Sequence, residues 1–166
     1  MDWLKLKNSN QHIPRTNMAL RVGENAPNFT LKSTSGDTLT LDQDLKDTAC
    51  ILYFYPKDFT PGCNAEACEF RDHFEEFRDV NIPVFGISTD SIPTHMKFKA
   101  KYKLPFELLS DQSGKVTKAY DSIIPVINLA KRTTYLLDKD HHIKAVYNDM
   151  FGARNHIKAM LVEIGQ

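Results

Sequence analysis

Ala49 to Tyr55, ACILYFY, is a nearly continuous apolar run closed by Pro56. A strand with one wet face alternates apolar and polar residues. A run without that alternation needs cover on both sides. The segment is therefore expected to be a central strand in a sheet packed on both faces. After it the pattern changes. Pro56, Thr60, Pro61 and Gly62 make a loop rich in turn residues. From Asn64 to about Asp79, Ala67, Phe70, Phe74 and Phe77 recur at three- and four-residue spacing, which predicts a helix.

The remaining elements alternate in the same way. NFTLKS (28–33) and TLTL (38–41) flank Ser35-Gly36-Asp37 and predict an N-terminal β-hairpin. IPVFGIS (82–88) reads as a second buried strand, and FELLS (106–110) as a short one. Ser91 and Pro93 open a helix that reaches Tyr102, and a short helix is expected around Val116 to Tyr120. TTYLLD (133–138) and IKAVY (143–147) form another hairpin, and a last helix covers roughly Arg154 to Ile164. Together these predict an α/β fold, a central mixed sheet with helices on both faces. There is no internal repeat or low-complexity segment. The expectation is a single domain over 19–166, preceded by an extension over 1–18 that is too polar and irregular for a helix.

The chain has 166 residues, enough for a core that needs no disulfide or metal. Lys plus Arg equals Asp plus Glu at 21 each, so no global charge points to nucleic acid or an anionic membrane. No apolar run approaches the roughly 20 residues that span a bilayer. The three cysteines are too few for a disulfide framework. They point to a reducing compartment, with the cytoplasm as the default.

Cys63 falls where a buried strand has ended and a helix begins. The crevice beyond strand carboxyl ends is the usual ligand site in open α/β sheets. A helix N-terminus, with unpaired N–H groups and partial positive charge, favours thiolate over thiol. Cys63 is thus expected to be an exposed, reactive sulfur rather than a small core hydrophobe. Cys68 lies five residues on. In an ideal helix the two Cα atoms are about 8.6 Å apart and about 140° around the axis, beyond the roughly 6.8 Å limit of a disulfide. The sulfurs can pair only if the helix start unwinds. Zinc is disfavoured, because Cys63, Cys68 and His73 at five-residue steps do not converge and no second Cys/His pair is present. Cys50, inside ACILYFY, reads as a core residue.

These residues resemble the peroxiredoxins. Pro56, Thr60 and Cys63 match the family's active-site pattern, Pro, three residues, Thr, two residues, Cys. A second cysteine five positions later, in TPGCNAEACEFRD, is similar to the bacterioferritin comigratory protein subgroup, or Q type. VGENAPNFTL, VFGISTDS, FELLSD and RTTYLLD follow in the family's order, so the resemblance covers about 20–165. It implies a thioredoxin-like fold and a thiol peroxidase in which Cys63 attacks peroxide and Cys68 resolves the product as an intramolecular disulfide. Thioredoxin or a similar dithiol would be the reductant, and no metal, haem or flavin is required. It also implies an active-site arginine, Arg132 by motif position, whose guanidinium would stabilise the thiolate and bind peroxide oxygens.

Thr60 would hold peroxide or thiolate through its hydroxyl, or serve turn chemistry alone. Pro56 would shield the thiolate, or simply end a strand. Glu66 would orient Arg132, or favour the helix's first turn. Two stretches depart from the family pattern: DKDHH lacks the usual turn glycine, so either His141 takes up the turn or the turn differs, and DSIIPVINLAKR is unlike its counterpart and shorter. A redox sensor or a thiol–disulfide oxidoreductase could use the same cysteine pair. The expected assembly is a monomer or weak homodimer.

Overall fold

The computed structural model describes residues 19–150 and 152–165; the expected extension over 1–18 lies outside them. The strands are β1 (Thr30–Ser33), β2 (Thr38–Thr40), β3 (Cys50–Phe54), β4 (Val84–Ser88), β5 (Glu107–Ser110), β6 (Ile123–Ile124), β7 (Leu129–Ala130), β8 (Thr133–Leu137) and β9 (Ile143–Asn148). The helices are α1 (Leu41–Asp44), α2 (Pro61–Asp72), α3 (Phe74–Asp79), α4 (Ile92–Tyr102), α5 (Lys115–Ala119) and α6 (Ala153–Ile164). Seven strands form one sheet in the order β2-β1-β5-β4-β3-β8-β9. β3, β4 and β5 run parallel, whereas β8 pairs antiparallel with β3 and β9 antiparallel with β8.

ACILYFY behaves as its composition requires. All five residues of β3 are buried, and its side chains alternate between two apolar layers. Cys50, Leu52 and Phe54 join Phe29, Leu41, Leu45, Tyr120 and Tyr135 on one face. Ile51 and Tyr53 join Ala67, Phe70, Phe77, Phe98, Ile157 and Met160 on the other. α1 lies against the first layer, and α2, α3, α4 and α6 pack into the second. The fully buried aromatics dominate this second layer, with Tyr53 stacked on Phe70 at 4.6 Å between centroids. Burying one such side chain contributes about 1.5–3 kcal/mol. Ser91 caps α4, its hydroxyl accepting the Thr94 N–H, with Pro93 in the first turn as expected.

Three expectations are corrected. The helix expected from Asn64 starts at Pro61, because Pro is well tolerated in the first helical position, where its missing N–H costs nothing. It also breaks at His73, so the run to Asp79 is two helices rather than one. The second arm of the N-terminal hairpin ends at Thr40, and Leu41 turns inward to open α1. The segment 121–132, for which no element was expected, contains a separate two-stranded sheet of β6 and β7. The β8–β9 turn is made by His141, in the left-handed region at φ 59°. Its ring Nε2 donates to the Leu45 carbonyl at 2.8 Å. Among the described residues no helix is long and apolar enough to cross a membrane.

Candidate active site

Strand register brings the site together. Phe54 pairs with Thr133, and Thr133 also pairs with Asn148. Tyr55, Arg132 and Asp149, each one residue beyond, therefore emerge at the same end of the sheet. α2 leaves from the first of these strand ends and α6 follows the third. A residue 69 positions from Cys63 is thereby delivered to its sulfur: the Arg132 Nη2 donates to Cys63 Sγ at 3.3 Å.

All three nitrogen positions of the Arg132 guanidinium are engaged. Nη1 donates to Glu66 Oε2 in a short charge-assisted bond. Nε donates to the Met150 carbonyl at 3.1 Å, and the Arg132 backbone N–H reaches the Met150 sulfur at 3.2 Å. Arg132 is only 3% exposed. Burial works against its charge, but Glu66 and Cys63 together raise its titration above the ordinary arginine value. Glu66 is fully buried, and that burial pushes its carboxyl up to about 7 against the pull of Arg132.

Cys63 is the third residue of α2, and it is buried, 1% exposed, rather than exposed as its loop-like context suggested. The cause is helical: Cys63, Ala67 and Phe70 share the face that packs on the sheet. Pro61 and Gly62, immediately before it, are exposed. Gly62 has a steric reason to lack a side chain, since a Cβ there would lie 2.9 Å from Arg132 Nη2.

Thr60 is the N-cap of α2, but its hydroxyl donates to the Lys57 carbonyl at 2.9 Å and caps no helix N–H. The positive end of α2 is thus left without a side-chain cap beside the sulfur. Pro56 lies two residues beyond the end of β3 and is half-buried. Cys68, half-buried, lies on the same unbroken helix as Cys63, and both are free thiols. Burial alone pushes the Cys50 thiol up to about 12.

Two buried polar clusters escaped the sequence reading. The Asp58 carboxylate accepts the Tyr55 hydroxyl at 2.6 Å and faces His95 Nδ1 at 2.7 Å, and His95 Nε2 donates to the Leu109 carbonyl. This pins the loop that carries Pro56 and Thr60. The second cluster is His156, which lies between Thr134 and the Asp149 carbonyl and 3.6 Å from Glu66 Oε1. His95 lies 37 residues from Asp58 and His156 22 residues from Thr134. No local signal in the sequence marks them.

A thiol beside a guanidinium at an uncapped helix start has the surroundings of a nucleophilic sulfur. The AhpC/TSA family matches residues 22–146. The bcp peroxiredoxin of Coxiella burnetii is 46% identical over 136 residues, covering 78% of this chain and 89% of that protein. The chain is a peroxiredoxin of the bcp, or Q, type. Rice (Oryza sativa subsp. japonica) chloroplastic peroxiredoxin Q is 43% identical over 136 residues, 81% of this chain, which spans 62% of that protein's length. Among solved structures, peroxidoxin BcpB of Mycobacterium tuberculosis superposes with a TM-score of 0.83 at 32% identity, covering 88% of this chain and 97% of that one. The sheet and its flanking helices are the thioredoxin-like fold of peroxiredoxins, and the enzyme is a thiol-dependent peroxidase.

Proposed function

We propose that Cys63 is the sulfur that attacks peroxide and that Cys68 resolves the product. The contact that carries this reading is Arg132 Nη2 on Cys63 Sγ at 3.3 Å, at the start of α2. The cation and the helix end both favour thiolate. The thiolate attacks one peroxide oxygen and the O–O bond breaks. The other oxygen leaves as water or an alcohol after taking a proton, and Cys63 becomes a sulfenic acid. Hydrogen peroxide and small organic hydroperoxides reach the sulfur past the exposed Pro61–Gly62 turn. Arg132 orients the peroxide oxygens, Pro56 limits water, and Thr60 turns its hydroxyl from Lys57 to the substrate.

Cys68 then condenses with the sulfenic acid, releasing water and forming the Cys63–Cys68 disulfide. Intact α2 forbids that bond, so its first turns unwind after oxidation. Thioredoxin or a similar dithiol restores both thiols by exchange. The bacterial bcp relative supports a cytoplasmic site, although plant relatives are named as chloroplastic.

Titration of the reduced protein with hydrogen peroxide, followed by mass mapping, tests the route. One equivalent should produce a Cys63–Cys68 bond. Cys68→Ser should still consume one equivalent but form no internal disulfide. Full turnover of Cys68→Ser with thioredoxin would overturn the resolving role.

A further inference from the structure

Arg132 reaches Cys63 with one nitrogen and is held by the other two, so whatever fixes those two anchors fixes the contact with sulfur. One side chain lies close behind both anchors. His156, fully buried on α6, donates through Nε2 to the Asp149 carbonyl at 2.9 Å. A carbonyl can only accept, so Nε2 carries the proton, and Nδ1 accepts the Thr134 hydroxyl at 2.7 Å. Burial lowers the ring's titration to about 4, so the ring is neutral and Nδ1 is the acceptor. Asp149 is bonded directly to Met150, whose carbonyl holds Arg132 Nε. On the other side, Nδ1 stands 3.6 Å behind Glu66 Oε1. That oxygen has no hydrogen-bond partner among the described residues. Its sister oxygen holds Arg132 Nη1.

We infer that His156 is a positioning residue for the peroxidase reaction: by holding the Asp149 carbonyl it fixes the backbone that presents the Met150 carbonyl to Arg132 Nε, and its ring backs Glu66, so that Arg132 Nη2 is aimed at Cys63. It touches neither sulfur nor substrate. Its neutrality matters, because an imidazolium would repel Arg132. The arrangement also ties α6 to the reacting centre. α2, the helix that must open for resolution, packs on α6, with Arg154 on α6 paired to Glu69 on α2 at 3.1 Å.

This inference rests on Cys63 being the reacting sulfur, and the experiment separates the two. Wild type, His156→Phe and His156→Gln are compared by the second-order rate of Cys63 oxidation by hydrogen peroxide and by thermal melting. A glutamine amide presents a donor and an acceptor about as far apart as the two ring nitrogens, whereas phenylalanine presents neither. His156→Phe should be slower by about tenfold or more, the scale of a small misplacement of a catalytic group. His156→Gln should recover most of the rate. A folded His156→Phe as fast as wild type, or a Gln variant as slow as the Phe one, overturns the inference. If His156→Phe does not fold, Thr134→Val decides: it removes only the hydroxyl that holds Nδ1. A severalfold loss supports the inference, and an unchanged rate overturns it. A wild-type protein whose Cys63 ignores peroxide would instead sink the assignment of the reacting sulfur.

Discussion

Cys50 and Cys63 are hidden to the same degree, 0% and 1% exposed, and belong to the apolar layers on opposite faces of the sheet. Cys50 lies mid-strand among Leu, Phe and Tyr side chains, and burial acts on it unopposed. Cys63 lies in the first turn of a helix with a guanidinium at 3.3 Å. Burial alone disfavours an anion. A buried sulfur becomes useful only where a fixed positive charge and a helix end replace the water it has lost. In the proposed reaction, concealment of Cys63 is part of the chemistry, since the low local dielectric strengthens the hold of Arg132.

The largest test exchanges the two sulfurs' roles. Cys63→Ser should abolish peroxide consumption, while Cys50→Ser should leave the rate within about twofold at some loss of stability. Peroxide loss followed with excess dithiol checks both. A Cys63→Ser protein that still turns over, with the activity removed by a second change at Cys50, would break the comparison. Next comes the charge itself. Arg132→Met keeps length and apolar bulk but removes the guanidinium. A hydrogen bond to a charged group is worth about 1.5–3 kcal/mol, so the oxidation rate should fall about ten- to a hundredfold. A rate near wild type would show that the helix end alone suffices.

How far this difference was legible in the chain depends on whether each cause is local. Apolar run, turn glycines and caps report on a few neighbouring residues. β3, β4, β8, the N-terminal hairpin and the capped start of α4 could therefore be read directly. The break at His73 could not, because Phe70, Phe74 and Phe77 keep a helical spacing straight through it. β6 and β7 have two residues each, too few for any period to show. Cys63 was legible by its place between strand and helix, and Arg132 only through a family motif. Its partner Met150, and His156 behind that partner, reach the site through the β3–β8–β9 register, a tertiary fact with no local trace. Burial of Cys63 was missed for a related reason. Thr-Pro-Gly looks like a loop, yet Pro61 and Gly62 already belong to the helix that covers the sulfur.

The buried groups around Arg132 make a third test, in pH. Glu66 titrates at about 7 in the folded protein against an ordinary 4.5. The folded state holds its proton more tightly, so this group lowers stability as pH rises from about 4.5 to about 7. His156 titrates at about 4 against an ordinary 6.5. Here the unfolded state binds the proton more tightly, so stability rises over about 4 to 6.5. The windows overlap and the slopes oppose, each at most about 1.4 kcal/mol per pH unit. Glu66→Gln removes the falling contribution and leaves the rising one. Relative to wild type, its melting temperature should climb between pH 4.5 and 6.5, as followed by circular dichroism. Parallel curves for the two proteins would mean that Glu66 keeps its charge throughout.

The smallest expected effect is the most discriminating, because it sets stability against rate. An alanine Cβ at position 62 would stand 2.9 Å from Arg132 Nη2 and 3.6 Å from its Cζ. One of them must yield by a few tenths of an ångström. The guanidinium is the softer body, but it is tethered at Nε and Nη1, so the displacement falls on the contact with Cys63. Within a helix, alanine is favoured over glycine by roughly 0.5–1 kcal/mol. Gly62→Ala should therefore melt at the same temperature as wild type or slightly higher, yet react with peroxide severalfold more slowly. A simple packing defect would lower both quantities together. A variant both as stable and as fast as wild type would show that the cation tolerates displacement, and that Cys63 differs from Cys50 chiefly through the helix end.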